Sequence, residues 1–334
     1  MNETSRVFQL ARRPEGMPRP DDFALAQVPL PALQDGQVKV RNTWLSVDPY
    51  MRLSLTTLKG VHAPTGIGDE LDGGAVGEVI ESRSDILPVG ASVFTPLRGW
   101  RDLYVADAAA LLPIDPALAP LSAYLGVLGI SGTTAYAGLE YVLKPQAGET
   151  IFVSGAAGAV GMVVCQLAKR HGCRVIGSTG DPAKAALLTG RLGVDATINY
   201  RTDDLRARLA EFAPAGLDMY FDNVGGSHLE AAIDSMKVHG RMALCGAVEL
   251  YNSDNYRRGP DNLFAAIERG LTLTGFNIGL FGARRPEMIR ALAAMLEDGS
   301  LQAEETVVDG LENTPRAFID LLGGANAGKM VVRL

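Results

Sequence analysis

Residues 150–161 read TIFVSGAAGAVG, and this stretch decides the fold. Its first four residues are β-branched or aromatic, which is typical of a buried strand, and the small residues that follow open an apolar helical pattern. Ala156, Gly158 and Gly161 stand at the three glycine positions of a G-x-G-x-x-G turn, with alanine in the first place. Such a turn lets the backbone approach a pyrophosphate at a helix N-terminus, although a purely structural tight turn is the alternative.

Strand and helix patterns alternate on both sides of this turn. A helical pattern precedes it at 121–143 and stops near Lys144 and Pro145. Strands are predicted at 150–154, 174–178, 196–200, 217–222, 241–246 and 271–276. Helices are predicted at 159–171, 182–192, 203–212, 227–237 and 286–298. This alternation predicts a doubly wound, Rossmann-like parallel sheet in an α/β domain, where dinucleotide binding is the expected role of the turn.

The N-terminal part of the chain has a different pattern. Residues 1 to about 120 carry short runs of alternating polarity, such as 37–41 and 74–80, that are broken by Pro and Gly. They predict a small β-rich barrel or sandwich. The tail from 304 returns to short strands and is expected to rejoin this first domain. The predicted domains are therefore 1–122, 123–302 for the dinucleotide, and 303–334.

Composition narrows the class of protein. The 334 residues are 47% hydrophobic and 21% charged, enough for about two domains with ordinary cores. A net charge of −7 argues against a general nucleic-acid binder, which needs a basic face. The three cysteines are too widely spaced for a disulfide framework, and no apolar run reaches the ~18 residues of a membrane span. We expect a cytoplasmic protein with a small-molecule substrate and neither nucleic acid nor membrane as a partner.

The second predicted strand indicates which dinucleotide is bound. It ends at Ser178, Thr179 and Gly180 without the carboxylate that NAD sites use to bind the ribose 2′-OH. Lys184, at the start of the next helix, can reach a 2′-phosphate, with a solvated surface lysine as the alternative. Asp181 is a counter-signal, but its position beyond the strand favours a helix cap. The sequence therefore favours NADP(H) over NAD.

No metal site is predicted. The four histidines and three cysteines form no cluster with metal-ligand spacing, and neither H-E-x-x-H nor C-x-x-C occurs. The histidines are His62, His171, His228 and His239. Any hydride chemistry must then use hydrogen bonds, together with the cofactor's own groups, to stabilise developing negative charge.

Seven strings carry a family resemblance that spans nearly the whole chain. They are LSVDPYMR (45–52), GTTAY (132–136), AAGAVG (156–161), FDNVGG (221–226), GRMALCGA (240–247), YN (251–252) and NAGK (326–329). The sequence resembles the zinc-independent medium-chain dehydrogenase/reductase superfamily. Within it, the resemblance is to the branch of leukotriene hydroxydehydrogenases, prostaglandin reductases and bacterial curcumin and alkenal reductases. Where zinc alcohol dehydrogenases have Gly-His-Glu, residues 68–70 read GDE.

The resemblance implies a GroES-like substrate domain, made from 1–122 and 303–334, with the NADP-binding domain inserted. It implies a catalytic Tyr251 beside the substrate carbonyl, and a substrate cleft lined by Tyr50 and Tyr136, whose alternative role is packing at the domain seam. Ser131 departs from the proline usual in this branch and can reshape the cleft wall. The implied cofactor-binding residues are Ala156, Gly158, Ala159, Val160, Gly161, Ser178, Lys184, Tyr200, Asn223, Cys245 and Asn326.

The expected reaction is conjugate reduction of an α,β-unsaturated ketone or aldehyde by NADPH. Hydride goes to the β-carbon while the Tyr251 hydroxyl donates a hydrogen bond to the carbonyl oxygen, where enolate charge develops. Two alternatives stay open: an NADPH quinone reductase of the same superfamily, and a non-catalytic NADPH-binding protein. The family resemblance also suggests a homodimer.

Overall fold

The computed structural model describes residues 3–56, 63–252 and 259–334. His62, one of the four histidines considered above, lies outside the described residues. The chain divides into two compact units. The first unit comprises Met1–Leu125 and Glu305–Leu334, and the second comprises Gly126–Glu304.

The described residues form strands and helices in the following order. The strands are β1 (Thr4–Leu10), β2 (Phe23–Pro29), β3 (Gln37–Ser46), β4 (Ala75–Ser82), β5 (Ser92–Thr95), β6 (Leu103–Asp107), β7 (Leu112–Pro113), β8 (Thr150–Val153), β9 (Arg174–Thr179), β10 (Ala196–Asn199), β11 (Leu217–Asp222), β12 (Met236–Leu244), β13 (Thr272–Gly275), β14 (Glu305–Asp309) and β15 (Lys329–Arg333). The α-helices are α1 (Met51–Ser54), α2 (Ile130–Tyr136), α3 (Ala159–Arg170), α4 (Pro182–Gly190), α5 (Leu205–Phe212), α6 (Gly226–Ser235), α7 (Leu263–Glu268), α8 (Arg285–Glu297) and α9 (Thr314–Leu322).

The first unit is built on a seven-stranded sheet. Its strand order is β14-β15-β3-β4-β5-β7, with β6 also paired to β3, and β1 and β2 form a separate antiparallel pair. The return of β14 and β15 to this sheet joins the two ends of the chain in one unit. The alternating patterns at 37–41 and 74–80 correspond to β3 and β4, which pair antiparallel with each other.

The prediction of only short strands in the C-terminal tail is wrong for α9. This helix buries Ala317 and Phe318 completely, and Phe318 packs edge-on against Trp100 with ring centroids 5.7 Å apart. Trp100 also stacks on Phe23 at 5.5 Å. The helix forms because its apolar residues recur at helical spacing and fill this aromatic core.

A buried ion pair joins the end of the chain to the segment after β3. The Lys329 ammonium group donates to Asp48 Oδ1 at 2.5 Å and to the Val47 carbonyl at 2.9 Å. Ser46 also donates its hydroxyl to the Asp48 carboxylate. Only 4% of the Lys329 side chain is exposed, so its charge depends on these partners. The pair therefore holds β15 against the segment that carries Tyr50.

The second unit contains the predicted parallel sheet. Its six strands run in the order β10-β9-β8-β11-β12-β13, and every neighbouring pair is parallel. This is the strand order of a doubly wound dinucleotide-binding sheet, which confirms the predicted α/β fold class. Most boundaries agree within one or two residues, the usual uncertainty of helix ends, but β12 begins five residues before its predicted start at 241.

The single helix predicted at 121–143 is wrong. The structure has a 3₁₀ turn at Leu121–Leu125, then α2, and then a π-helical segment at Ala137–Leu143. Gly126 and Gly129 separate the first two pieces, because glycine is a poor helix former. At the C-terminal end of the π-helical segment, Lys144 adopts a left-handed conformation with φ of 54°. This conformation ends the helical segment just before Pro145.

None of the helices in the described parts of the chain has both the length and the apolar character that a membrane span requires.

Candidate functional site

The glycine-rich turn is attached to the strand beside it. Gly155 follows β8 with φ of 58°, a left-handed conformation suited to glycine, and its N–H donates to the Ser178 hydroxyl at 3.2 Å. The Ala156 N–H donates to the Ser178 carbonyl at 2.9 Å. Ser178 is fully buried, so its hydroxyl holds the turn in place from the end of β9.

Two close approaches explain the small residues of the turn. A Cβ at Gly161 would lie 2.3 Å from the Gly155 carbonyl oxygen and 2.8 Å from the Ala156 Cα, so α3 can start this close to the turn only with glycine there. A Cβ at Gly177 would lie 2.7 Å from the Ala156 Cβ. Alanine is therefore accepted at the first fingerprint position because glycine faces it from β9.

The turn leads into the N-terminus of α3, a twelve-residue helix with no side-chain cap. Gly158 is the N-cap of α3 and contributes no side-chain cap, while Ala159 and Val160 begin the helix and are partly buried. The first N–H groups of a helix have no partners within it, and the helix dipole is positive at this end. The small residues let a ligand approach the backbone closely, and the first turn of α3 contains no acidic residue. The start of α3 therefore fits the pyrophosphate of a dinucleotide.

Two cations and a tyrosine lie together beyond the ends of β9 and β10; we call Lys184, Tyr200 and Arg201 the cation cluster. A Cβ at Gly180 would lie 2.7 Å from Arg201 Nε and 2.9 Å from the Tyr200 hydroxyl oxygen. Burial lowers the pKa of Lys184, and the nearby Arg201 charge lowers it further, against the opposite effect of Asp181. Two positive charges held this close fit a doubly charged phosphate.

Asp181 does not contribute a carboxylate for a ribose hydroxyl. Its Oδ1 accepts hydrogen bonds from the N–H groups of Ala183 at 2.8 Å and Lys184 at 3.1 Å, as the N-cap of α4. The predicted helix cap is thus confirmed. Because β9 ends without another acid, the residues present fit a cofactor that carries a 2′-phosphate.

Sequence reasoning missed Arg201. It follows Tyr200 directly, and its guanidinium carbon lies 5.9 Å from the centre of the Tyr200 ring. A second cation just after β10 was the signal that could have identified Arg201. Because β10 pairs parallel with β9, the carboxyl ends of both strands lie at the same edge of the sheet.

The carboxyl ends of the parallel strands lie along one edge of the sheet, which we call the carboxyl edge. The buried carboxylate of Asp222, at the end of the central strand β11, organises the middle of this edge. Its Oδ1 accepts hydrogen bonds from the Tyr220 hydroxyl at 2.7 Å and the Ser154 hydroxyl at 3.2 Å. It also accepts from the N–H groups of Val224 at 3.0 Å and Gly225 at 2.8 Å. Burial raises the pKa of Asp222 despite these donors, which act in the opposite direction. One side chain thus joins the ends of β8 and β11 to the start of α6.

Asn223 and Cys245 lie at two of the joined strand ends. Asn223 donates its backbone N–H to the Ser154 hydroxyl at 2.9 Å and its side-chain amide to the Ser154 carbonyl at 2.7 Å. The N–H groups of Cys245 and Gly246 both donate to the Asp222 carbonyl, at 2.9 and 3.0 Å. Burial raises the pKa of the Cys245 thiol to about 12, so it is a neutral group that contributes shape.

Tyr251 follows a short 3₁₀ turn, Val248–Leu250, after β12. Its N–H donates to the Val248 carbonyl at 3.2 Å, and a Cβ at Gly246 would lie 3.7 Å from its hydroxyl oxygen. The hydroxyl therefore lies at the carboxyl end of β12. Burial raises the pKa of Tyr251 above the ordinary value of 10.0, and the Ala247 backbone N–H acts in the opposite direction by hydrogen bonding. Tyr251 is thus a neutral hydrogen-bond donor near neutral pH.

Three predicted residues belong neither to the turn nor to the strand ends. Tyr136, the last residue of α2, packs edge-on against Tyr141 with ring centroids 5.7 Å apart. In the first unit, Tyr50 packs against the aromatic core, and burial raises its pKa. Asn326 is buried there and donates its side-chain amide to the Gly328 carbonyl at 2.6 Å. Tyr50 and Asn326 each lie within three residues of a partner in the buried ion pair.

The acids that replace a zinc motif have structural partners. Glu70 accepts from Arg101 Nη1 at 2.8 Å, and Asp69 accepts from the Gly66 N–H at 3.0 Å. Within the described ranges, no group of three or more His, Cys, Asp and Glu side chains could hold a metal ion.

Two protein-family profiles match the chain. Residues 6–114 match the N-terminal domain of oxidoreductase, and residues 159–297 match zinc-binding dehydrogenase. The second match begins at α3 and runs to the end of α8, and it includes every strand of the parallel sheet except β8.

Relatives match over the full length. The chain is 39% identical to a putative NADP-dependent oxidoreductase of Bacillus subtilis, YfmJ, across 100% of this chain and 99% of that protein. It is 40% identical to prostaglandin reductase 1 of Bos taurus, across 98% of this chain and 99% of that protein. The solved structure of CurA from Vibrio vulnificus in complex with NADPH is 36% identical, with a TM-score of 0.92 over 98% of each chain.

The contact between α3 and the turn predicts the effect of one added methyl group. Gly161→Ala must push the helix away from the Gly155 carbonyl oxygen, and overpacking of this kind costs about 1–3 kcal/mol, so we expect NADPH to bind roughly tenfold more weakly. A fluorescence titration with NADPH measures this. Gly190→Ala, where nothing lies within 4 Å of the added carbon, is the matched control. Equal affinity of both variants would show that the turn does not hold the cofactor.

Proposed function

The chain belongs to the medium-chain dehydrogenase/reductase family, in the branch of prostaglandin, curcumin and alkenal reductases, and we propose that it reduces the C=C bond of α,β-unsaturated ketones and aldehydes with NADPH. The resemblance predicted from the sequence motifs is thereby confirmed. One observation carries the reaction assignment: a neutral tyrosine hydroxyl lies at the carboxyl end of β12, in a sheet whose carboxyl edge also carries a dinucleotide turn.

Groups along the carboxyl edge are assigned to different parts of the cofactor and substrate in this reaction. When bound, NADPH supplies the hydride for the β-carbon of the substrate. The N-terminus of α3 would bind the pyrophosphate, and the cation cluster would bind the 2′-phosphate. Asn223, which is tied firmly to Ser154, would hold the nicotinamide half, and Cys245 would be a further cofactor-binding residue.

Tyr251 stabilises the charge that develops on the substrate. Its hydroxyl donates a hydrogen bond to the carbonyl oxygen as that oxygen gains enolate character. Because its pKa lies above 10.0, the hydroxyl keeps its proton through neutral pH and is lost as a donor only in strong alkali. A donor aimed at a developing oxyanion lowers the barrier because the contact strengthens in the transition state.

The remaining assignments follow from the family. Residues 1–122 and 303–334 form the substrate domain and 123–302 the cofactor domain, with Tyr50 and Tyr136 lining the substrate side. By the family resemblance, Asn326 would hold the cofactor near its nicotinamide half. The cytoplasm is the proposed location, supported by three cysteines that all remain free thiols.

We also propose a homodimer that forms at the outer strand of the parallel sheet. β13 is one of the two edge strands of this sheet, and an exposed edge is a template for pairing with a second copy. Large apolar side chains nearby are exposed: Phe264 by 68%, Ile267 by 76% and Leu280 by 77%. An apolar surface beside an open strand edge favours association.

A panel of electrophiles tests the activity. We expect NADPH oxidation with enones and 2-alkenals, slower oxidation with quinones, and none with saturated ketones, because only a conjugated carbonyl places enolate charge beside Tyr251. NADPH absorbance follows each reaction. A preference for quinones would support the rival reductase, and tight NADPH binding without turnover of any electrophile would support a non-catalytic protein.

The cation cluster predicts cofactor specificity. Lys184→Ala removes a charged contact worth about 1.5–3 kcal/mol, so the KM for NADPH should rise about tenfold or more, while the KM for NADH stays nearly constant. Arg201→Ala should likewise raise the KM for NADPH and leave the KM for NADH nearly constant. Arg170→Ala, an exposed cation at the opposite end of α3, is the control. Equal use of both cofactors by the wild-type protein would contradict the assignment.

Removal of one hydroxyl group tests the catalytic role of Tyr251. Tyr251→Phe keeps the ring, and loss of an oxyanion donor should reduce kcat with enones by about tenfold or more, while the Kd for NADPH stays the same. Tyr124→Phe, whose lost hydroxyl bonds the Asp115 carbonyl in the first unit, is the matched control. Wild-type turnover by Tyr251→Phe, with chemistry rate-limiting, would remove this residue from the mechanism.

Sedimentation velocity tests the dimer. The sedimentation of the wild-type protein should correspond to twice the 35.4 kDa mass of one chain. Ile267→Lys should shift the protein towards the monomer, because the dimer contact would then bury a charge. Ile86→Lys, a similarly exposed isoleucine in the first unit, should remain dimeric. A monomeric wild-type protein would rule out this assembly.

A further inference from the structure

The turn that precedes Tyr251 is tied to a helix by one carboxylate. Glu249, in the middle of Val248–Leu250, accepts a hydrogen bond from the Ser227 hydroxyl at 2.9 Å and a longer one from the Ser227 N–H at 3.4 Å. Ser227 is the second residue of α6, a ten-residue helix whose N-cap, Gly225, has no side chain to offer. The carboxylate of a distant segment therefore caps this helix.

A buried histidine lies on the other side of the same carboxylate. His228 Nδ1 is 3.9 Å from Glu249 Oε2, and only 3% of the His228 side chain is exposed. Neither ring nitrogen has a hydrogen-bond partner among the residues that the structure describes. The ring packs edge-on against Tyr200 of the cation cluster at 5.4 Å, so the histidine lies between that cluster and the turn.

The backbone is shaped to admit this carboxylate. A Cβ at Gly226 would lie 2.4 Å from Glu249 Oε1, and the φ of 49° at Gly226 also favours glycine. The Glu249 N–H donates to the Val224 carbonyl at 3.1 Å, next to the loop that Asp222 holds. The turn is thus fixed to α6 by its side chain and to the end of β11 by its backbone.

We propose that Glu249 is a positioning residue for Tyr251: its carboxylate ties Val248–Leu250 to the N-terminus of α6 and so holds the Tyr251 hydroxyl at the carboxyl end of β12. The proposal rests on the proposed reductase function for its catalytic consequence. A carboxylate suits this role because the positive end of the α6 dipole and the two Ser227 donors favour negative charge. The nearby His228 and then the Ser227 donors lower the pKa of Glu249, whereas burial acts in the opposite direction. Because the pKa is lowered, the carboxyl group is ionised at neutral pH.

A double-mutant cycle separates positioning from a general structural effect. Glu249→Ala should lower kcat with an enone by about tenfold, and Ser227→Ala by about threefold, because each substitution removes hydrogen bonding to a charged group. The KM for NADPH should change by less than about twofold, because Glu249 is not among the residues assigned to cofactor binding. In the Tyr251→Phe background, Glu249→Ala should cause no further loss, because the hydroxyl that it positions is already absent.

Hydrogen exchange provides a readout that does not depend on turnover. The amides of Leu250 and Tyr251, which bond the Ala247 and Val248 carbonyls, should exchange faster in Glu249→Ala than in the wild-type protein. Glu211→Gln is the matched control, because it removes an exposed carboxylate of α5 that pairs with Arg208. It should leave both kcat and the exchange of these two amides unchanged.

The two arms distinguish the possible failures. Unchanged exchange and unchanged kcat in Glu249→Ala and Ser227→Ala would overturn the proposal, as would an equal loss of kcat in the wild-type and Tyr251→Phe backgrounds. If the wild-type protein reduces no enone, the proposed function fails. The exchange rates then still decide whether Glu249 holds the turn.

Discussion

The candidate site depends on one buried carboxylate. Asp222 gathers four donors from β11, β8 and the start of α6, and its backbone carbonyl accepts the first two N–H groups after β12. Parallel strands do not by themselves bring their following loops together, and a buried charge demands complete pairing. Satisfying this one group therefore fixes the relative positions of the segments that carry Asn223, Cys245 and, through the next turn, Tyr251.

The charges of the second unit are distributed to suit an elongated anionic cofactor. The cation cluster lies at the ends of β9 and β10, the bare N-terminus of α3 follows β8, and a neutral tyrosine lies at the end of β12. Along the sheet order, the edge thus passes from two positive charges, through a helix dipole, to a donor without charge. NADPH changes in the same order, from its negatively charged 2′-phosphate through the pyrophosphate to the uncharged dihydronicotinamide ring. Strand order, rather than any single residue, sets this arrangement.

Sequence alone predicted the parts of the molecule whose signals are local. The turn at 155–161, the parallel sheet and the cap at Asp181 depend on residues near one another in the chain. The interruption of the helix at 121–143 was missed because periodicity outweighed Gly126 and Gly129, and α9 was missed because its apolar face is recognisable only against the core that it fills. Arg201 and Glu249 were missed because their partners come from other strands and helices.

The fate of hydride tests the central claim most directly. NADPH that carries deuterium at the transferable position of its nicotinamide is incubated with an aryl enone, and the product is examined by NMR. Conjugate reduction places the deuterium on the β-carbon of a saturated ketone, while the α-carbon receives its proton from solvent. Deuterium on the carbonyl carbon of an allylic alcohol would contradict the account, because the carbonyl oxygen would then be reduced rather than held by Tyr251 as an enolate.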